Sequence, residues 1–257
     1  MTIIFPSPIF GPVKSRRLGI SLGINLLPSS GKVCTFDCVY CECGLNEQNR
    51  PSSSLPSRLE VKTALENKLK QMYNNKELPD VITFAGNGEP TIHPDFYDII
   101  NDTITLRNKY APEAKVSVLS NATFLHRSKI VEALNKVDNN ILKLDTVDMP
   151  FIHLVNQPNC NYDVAKTIEL MKQFKGNIII QTMFLKGVYK NQKIDNTGDE
   201  FIDPWIAQLK QISPKQVMIY TIDRDTPVEG LSKASKEDLN RIGEKLKKEG
   251  FNVSISY

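Results

Sequence analysis

The chain is 257 residues long, 40% hydrophobic and 24% charged, with a formal net charge of +3. These proportions suit a globular protein with length enough for a sizeable core, either two small domains or one α/β barrel. The charge is too small to mark a nucleic-acid binder. No stretch approaches the roughly 18 apolar residues of a membrane span, and the N-terminus lacks the basic and apolar regions of a signal peptide, so a cytoplasmic protein with no membrane partner is expected.

Apolar and β-branched runs predict a first strand at 19–26, followed by a long connection, 27–58, rich in Ser, Pro and Cys. Helix 59–74, strand 81–85, helix 95–110, strand 115–121, helix 128–137 and strand 141–146 come next. Helix 163–174, strand 177–184, helix 199–212, strand 216–222, helix 235–249 and a short strand at 252–256 complete the chain. Pro94-Asp95 and Ser235 are sensible helix starts, Asp238 makes an acidic near-match to a capping box, and Gly250 supplies a stop. The basic cluster Lys245-Leu246-Lys247-Lys248 falls at a helix end, where cations complement the dipole. The strands are nearly continuous apolar runs, as expected when both faces are covered. Their alternation with helices predicts a parallel α/β sheet with right-handed crossovers.

Five cysteines are an odd number, and four of them crowd into positions 34–43 of the long connection. A disulfide framework spreads its cysteines, so the crowding suggests a metal site in a reducing compartment. Cys34, Cys38 and Cys41 have C-x3-C-x2-C spacing, and three such thiolates can hold three corners of a cubane cluster, leaving the fourth iron open for chemistry. Zinc completed by Cys43 is the alternative, although the paired spacing of structural zinc sites is missing; four buried cysteines with no metal would need the crowding to be a coincidence.

Other polar residues fall at the C-terminal ends of predicted strands, where parallel α/β folds place their sites. Gly86-Asn87-Gly88-Glu89-Pro90-Thr91 is a ligand-approaching turn or an ordinary strand-to-helix turn. Ser120-Asn121 reads equally as a turn. Lys143 and Asp145 share a strand face, either as a structural ion pair or as a contact inside the barrel. Tyr220–Pro227 forms a polar strand end, and Gln181 and Met183 interrupt the preceding strand, with core packing the better reading of Met183. Lys14, Arg16 and Arg17 either meet a phosphate or form a basic turn.

Together these motifs resemble the radical S-adenosylmethionine (SAM) superfamily. The resemblance implies a partial (β/α)6 TIM-type barrel, a single core domain over residues 1–257 with the cluster loop after strand 1. It implies a [4Fe–4S] cluster on Cys34, Cys38 and Cys41, with SAM chelating the open iron and cleaved reductively to a 5′-deoxyadenosyl radical. Tyr40, before the last cluster cysteine, and Gly86, Asn87, Gly88, Glu89 and Pro90 are then cofactor contacts, although Asn87 stands where a glycine is common. Ser120 and Asn121 fall near SAM's methionyl or ribose groups, and Lys143 and Asp145 become SAM or substrate contacts with a catalytic role.

Gly11–Gly19, the Cys-Val-Tyr-Cys-Glu loop, Phe84–Pro94 and Thr226-Pro227-Val228-Glu229-Gly230-Leu231 look like the bacterial wyosine-synthase-like iron–sulfur oxidoreductases. That resemblance spans about residues 10–231. No cysteine precedes Cys34, and Cys43 and Cys160 are too few for a second cluster of the wyosine-synthase kind. The expected partners are an electron donor such as flavodoxin or ferredoxin and a substrate such as a tRNA base. An activase that installs a glycyl radical in a partner protein is the second expectation, and a zinc-stabilised nucleic-acid module a distant third.

Overall fold

The structure is a computed structural model and describes residues 3–15 and 18–257; Arg16 and Arg17 of the basic turn lie outside the described residues. It opens with a strand that was not expected, β1 (Ile9–Ser15), which pairs antiparallel with β2 (Gly19–Ile24). Pro8, Gly11 and Pro12 disguise β1 in the sequence. Only an edge strand tolerates such residues, and the register shifts between Phe10 and Val13. The Phe10 ring lies over Gly23, where a Cβ would come within 2.2 Å of it.

The alternation then runs through α1 (Arg58–Asn75), β3 (Val81–Phe84), α2 (Phe96–Tyr110), β4 (Lys115–Ser120), α3 (Ser128–Lys136) and β5 (Asn139–Lys143). A short helix, α4 (Met149–Phe151), continues as a π-helical segment, Ile152–Asn156, before α5 (Val164–Lys172). After it come β6 (Ile179–Tyr189), β7 (Gln192–Asp195), α6 (Asp199–Ile212), β8 (Gln216–Thr221), β9 (Leu231–Lys233), α7 (Lys236–Lys248) and β10 (Val253–Ser256). Capping boxes start two helices: the expected one at Ser235 and Asp238, and another at Ser57 and Glu60.

The sheet order is β1-β2-β3-β4-β5-β6-β8-β10, and every pair along it from β2 to β10 is parallel. The expected parallel α/β architecture holds, with one correction: the cysteine loop follows the first parallel strand, which is the second strand of the chain. Five strand spacings separate β2 from β8, about 24 Å in a flat sheet. Ser21 of β2 and Asp223 beyond β8 nevertheless line one cavity of about 260 Å³, so the sheet is curled into a partial barrel. It stays open, because among the described residues β10 pairs only with β8 and β1 only with β2.

One apolar layer packs the outward strand residues, such as Ile24, Phe84, Val118, Leu142, Ile180 and Ile219, under the helices. A separate inner cluster, Ile141, Ile179 and Met218 with Leu18 and Leu119, plugs the bore. β6 runs five residues beyond the expected strand and carries β7 and β9 as antiparallel partners above the barrel rim. Lys190 and Asn191 both have positive φ, the two-residue turn that a twisted hairpin favours. Among the described residues, no helix is long and apolar enough to cross a membrane.

Asn140 of β5 is fully buried, and neither side-chain polar atom has a hydrogen-bond partner among the described residues. A buried unpaired amide costs about 1–3 kcal/mol. Asn140→Val is therefore expected to stabilise the fold by roughly 1–2 kcal/mol, seen as a higher midpoint in chemical denaturation; an unchanged or lower midpoint contradicts this.

Candidate active site

The loop between β2 and α1 is long but not free. Val33 forms a parallel bridge with Gly88, its N–H donating to Asn87 O at 2.9 Å and its carbonyl accepting from Glu89 N at 3.0 Å. On the far side, Phe36 bridges Pro158, and Asp37 N and Val39 N donate to Asn156 O and Val155 O at 3.0 and 2.9 Å. The cysteine loop is thus strung from the turn after β3 to the π-helical segment after β5, over the C-terminal mouth of the barrel.

Each cluster-motif cysteine has its own polar partner. Asn121 Nδ2 donates to Cys34 Sγ at 3.6 Å, and Asn156 Nδ2 donates to Cys38 Sγ at 3.7 Å. Cys41 leans on Cys43: that contact, helped by the Lys32 charge, overcomes burial and brings Cys41 down to about 6. Burial pushes the Cys34 and Cys38 thiols up. Thiols poised this way suit metal ligation, in which the metal supplies the charge that holds a thiolate in a buried site. Among the described residues, no three His, Cys, Asp or Glu side chains converge as they do around a single ion. A cubane asks something different, since each thiolate binds its own iron.

The turn after β3 is built on two glycines, Gly86 and Gly88, both at φ +133°. Between them Asn87 is fully buried: Nδ2 donates to Phe5 O and Pro28 O at 2.9 and 2.8 Å, and Oδ1 accepts from Phe5 N at 2.8 Å. The residue that replaces a common glycine therefore fastens residue 5 to the turn. Glu89 Oε1 accepts from Thr91 N, Thr91 Oγ1 and Ser120 Oγ at 3.1, 2.5 and 2.9 Å, while Oε2 accepts only from Asn121 N at 2.6 Å. Pro90 opens a 3-10 turn with Glu89 as its cap. Burial raises the Glu89 carboxyl, and these donors pull against it. Glu89, Ser120 and Asn121, read separately from two strand ends, are thus one hydrogen-bonded unit, and Glu89 lies near enough to Cys34 for its charge to raise that thiol.

Lys143 and Asp145 form the ion pair that strand alternation anticipates, and Tyr40 joins them. The Tyr40 hydroxyl donates to Asp145 Oδ2, and Lys143 Nζ donates to both. Asn156 Nδ2 and Met183 N add donors to the same carboxylate at 2.9 and 3.0 Å. Burial works against the Lys143 ammonium, but Asp145 and then Cys38 outweigh it and hold the lysine protonated. Burial, then Asp145, raises the Tyr40 phenol well above its usual range. Met183 belongs to an apolar cluster with Val39, Tyr40 and Val155, so packing explains it. At the strand end after β8, Arg224 Nη1 donates to Glu42 Oε2 at 2.6 Å, tying that rim to the cysteine loop.

Three contributors escaped the sequence reading. Lys32, Asp37 and Asn156 lie among loop residues with no period to single them out. Yet Lys32 Nζ donates to Asp37 Oδ1 and Gly44 O at 3.1 and 2.7 Å, beneath the cysteines.

The structure is thus a curled parallel α/β half-barrel with a three-cysteine loop over its C-terminal mouth. The profile of the Radical SAM superfamily matches residues 29–195. A UPF0026 protein from Helicobacter pylori (strain ATCC 700392 / 26695) is 31% identical over 255 residues, 97% of this chain and 76% of that one. The chain belongs to the radical SAM superfamily of enzymes, and within it to the UPF0026 proteins. The protein named GTPase Obg from Brachyspira hyodysenteriae (strain ATCC 49526 / WA1) is 32% identical over 237 residues, which cover 91% of this chain and 32% of that one, so the chain spans about a third of its length. The solved structure of TYW1 with a lysine-pyruvate adduct bound shares the fold, with a TM-score of 0.62 at 12% identity over 89% of this chain and 73% of that one.

Proposed function

We propose that Cys34, Cys38 and Cys41 hold a [4Fe–4S] cluster, that Glu89 and Lys143 bind SAM beside it, and that the substrate is an RNA base, as the wyosine-synthase-like motifs imply. The observation that carries the site assignment is the placement of three individually partnered cysteines beside the Glu89–Ser120–Asn121 unit. When bound, the cluster supplies the electron that cleaves SAM to methionine and the 5′-deoxyadenosyl radical that takes a hydrogen atom from the substrate. A flavodoxin- or ferredoxin-type donor would provide that electron.

The chain's own residues hold the reactants. Among the described residues Glu89 Oε2 accepts from Asn121 N alone and so has capacity for an ammonium group. The protonated Lys143 matches a carboxylate. Val39, Tyr40 and Val155 pack as an apolar cluster beside the cysteine loop, the kind of lining that radical chemistry requires as a shield from water. Pyruvate has no place in the proposal: Cys43 and Cys160 are too few for the second cluster of the wyosine-synthase kind.

Protein reconstituted anaerobically with iron and sulfide, then given SAM and a strong reductant, is expected to yield 5′-deoxyadenosine, faster when undermodified tRNA is added. A full, reducible cluster that gives no 5′-deoxyadenosine and no SAM-induced change in its EPR spectrum overturns the SAM reading. Turnover indifferent to RNA overturns the substrate. Glu89→Gln keeps the shape but removes the charge, and is expected to weaken SAM binding on the order of tenfold or more while iron content stays unchanged. Equal SAM affinity in the two proteins would make the turn after β3 purely structural.

A further inference from the structure

Lys32 is the least exposed cation in a described ion pair: its side chain is 1% exposed, against 20% for its partner Asp37. A buried ammonium is costly unless it is paired and hydrogen-bonded, as Lys32 is by Asp37 Oδ1 and Gly44 O. Its two hydrogen-bond acceptors bracket the cysteine turn. Asp37 immediately precedes Cys38, and Gly44 follows Cys41 by three residues, its N–H donating to Cys41 O at 2.9 Å. Lys32 also senses all three cluster-motif cysteines electrostatically, Cys41 most, then Cys34 and Cys38. Cys34 and Cys38 receive neutral amide donors from Asn121 and Asn156, and Cys38 also feels the Lys143 charge, whereas Lys32 acts most on Cys41.

A thiolate-bound cluster gains one negative charge when it is reduced. Net charge and hydrogen bonds around the sulfurs set its potential. A fixed cation beneath it favours the reduced form, and a fixed carboxylate opposes it. We propose that Lys32 and Asp37 form a charge pair that sets the reduction potential of the cluster, Lys32 raising it and Asp37 limiting the rise. This rests on the assignment of the cluster to Cys34, Cys38 and Cys41. Lys32 is a positioning residue here, since it acts through the cluster and not on the substrate.

The test is an EPR-monitored redox titration of reconstituted protein without SAM. Poised at the wild-type midpoint, Lys32→Met is expected to shift the reduced-to-oxidised ratio about tenfold toward the oxidised form, or 59 mV for one electron. Lys32→Arg is expected to stay near the wild type. Asp37→Asn keeps an acceptor at Oδ1 for Lys32 and for Asn46 N, which donates at 2.8 Å, and is expected to shift the ratio the opposite way. Opposite shifts from two neighbouring substitutions would not follow from loosened packing. If Lys32→Met fails to hold iron, Asp37→Asn decides alone: a raised potential supports the proposal, and an unchanged or lowered one overturns it. Wild-type protein that gives no [4Fe–4S] signal would sink the cluster assignment instead.

Discussion

Anaerobically reconstituted Cys38→Ala is expected to lose nearly all its iron, whereas Cys43→Ala is expected to keep an iron content close to that of the wild type. The structure separates these two cysteines by what their thiols face. Cys38 Sγ points into the barrel mouth, takes a donor from Asn156 and feels the Lys143 charge. Cys43 Sγ is turned back, donating to Gly86 O at 3.2 Å, and contact with Cys41, then burial, raises its pKa. A thiol that spends its proton on a backbone carbonyl braces the turn after β3 against the cysteine loop. Removing it costs one weak hydrogen bond, whereas removing Cys38 would take away a corner of the proposed cluster. Metal analysis with the visible absorption of both variants checks this, and equal iron loss would make Cys43 a ligand and close the fourth position.

Gly88→Ala is expected to cost about 3–5 kcal/mol and to prevent stable cluster assembly. Gly88 sits at φ +133°, where side chains are strained, and a Cβ would fall 1.9 Å from Val33 O. That oxygen belongs to the bridge joining the cysteine loop to the turn after β3, so relief of the clash breaks the hydrogen bonds through Asn87 O and Glu89 N. Gly250→Ala is the control. Its φ is also positive, at +87°, but a Cβ there meets nothing within 4 Å, so only the backbone strain of about 1–2 kcal/mol remains. Denaturation midpoints and bound iron report both; similar losses in the two variants would mean that the bridge at Val33 holds nothing in place.

The parallel core was legible because its strands are covered on both faces and read as apolar runs, and the crowding of Cys34, Cys38 and Cys41 was visible in their spacing, which by itself left zinc open as the alternative to a cluster. Local signals failed where structure depends on distant partners. β1 carries two prolines on or beside it and is a strand only because β2 offers an edge. β7 and β9 are short and charged, and exist because β6 overshoots the barrel. The Ile152–Asn156 segment has no helical period, yet it supplies Asn156 to both Cys38 and Asp145. Glu89, Ser120 and Asn121 were each picked out as strand-end residues, but nothing in their spacing shows that they bond to one another. Lys32 gave no sign at all: a lysine in a Ser- and Gly-rich loop reads as solvated until the fold closes over it.

The amide of Asn87 has a chemical consequence of its own. Asparagine followed by glycine is the dipeptide most prone to spontaneous deamidation, in which the next backbone nitrogen attacks the side-chain amide to form a cyclic imide. Here that nitrogen, Gly88 N, is occupied by a hydrogen bond to Gly86 O at 2.9 Å, and the amide is engaged by Phe5 and Pro28. Conversion to aspartate would set a carboxylate against two carbonyl oxygens and release the segment that Asn87 holds. The folded protein thus suppresses its own ageing at this position, and a chain left unfolded accumulates damage at the point where its cysteine loop must later dock.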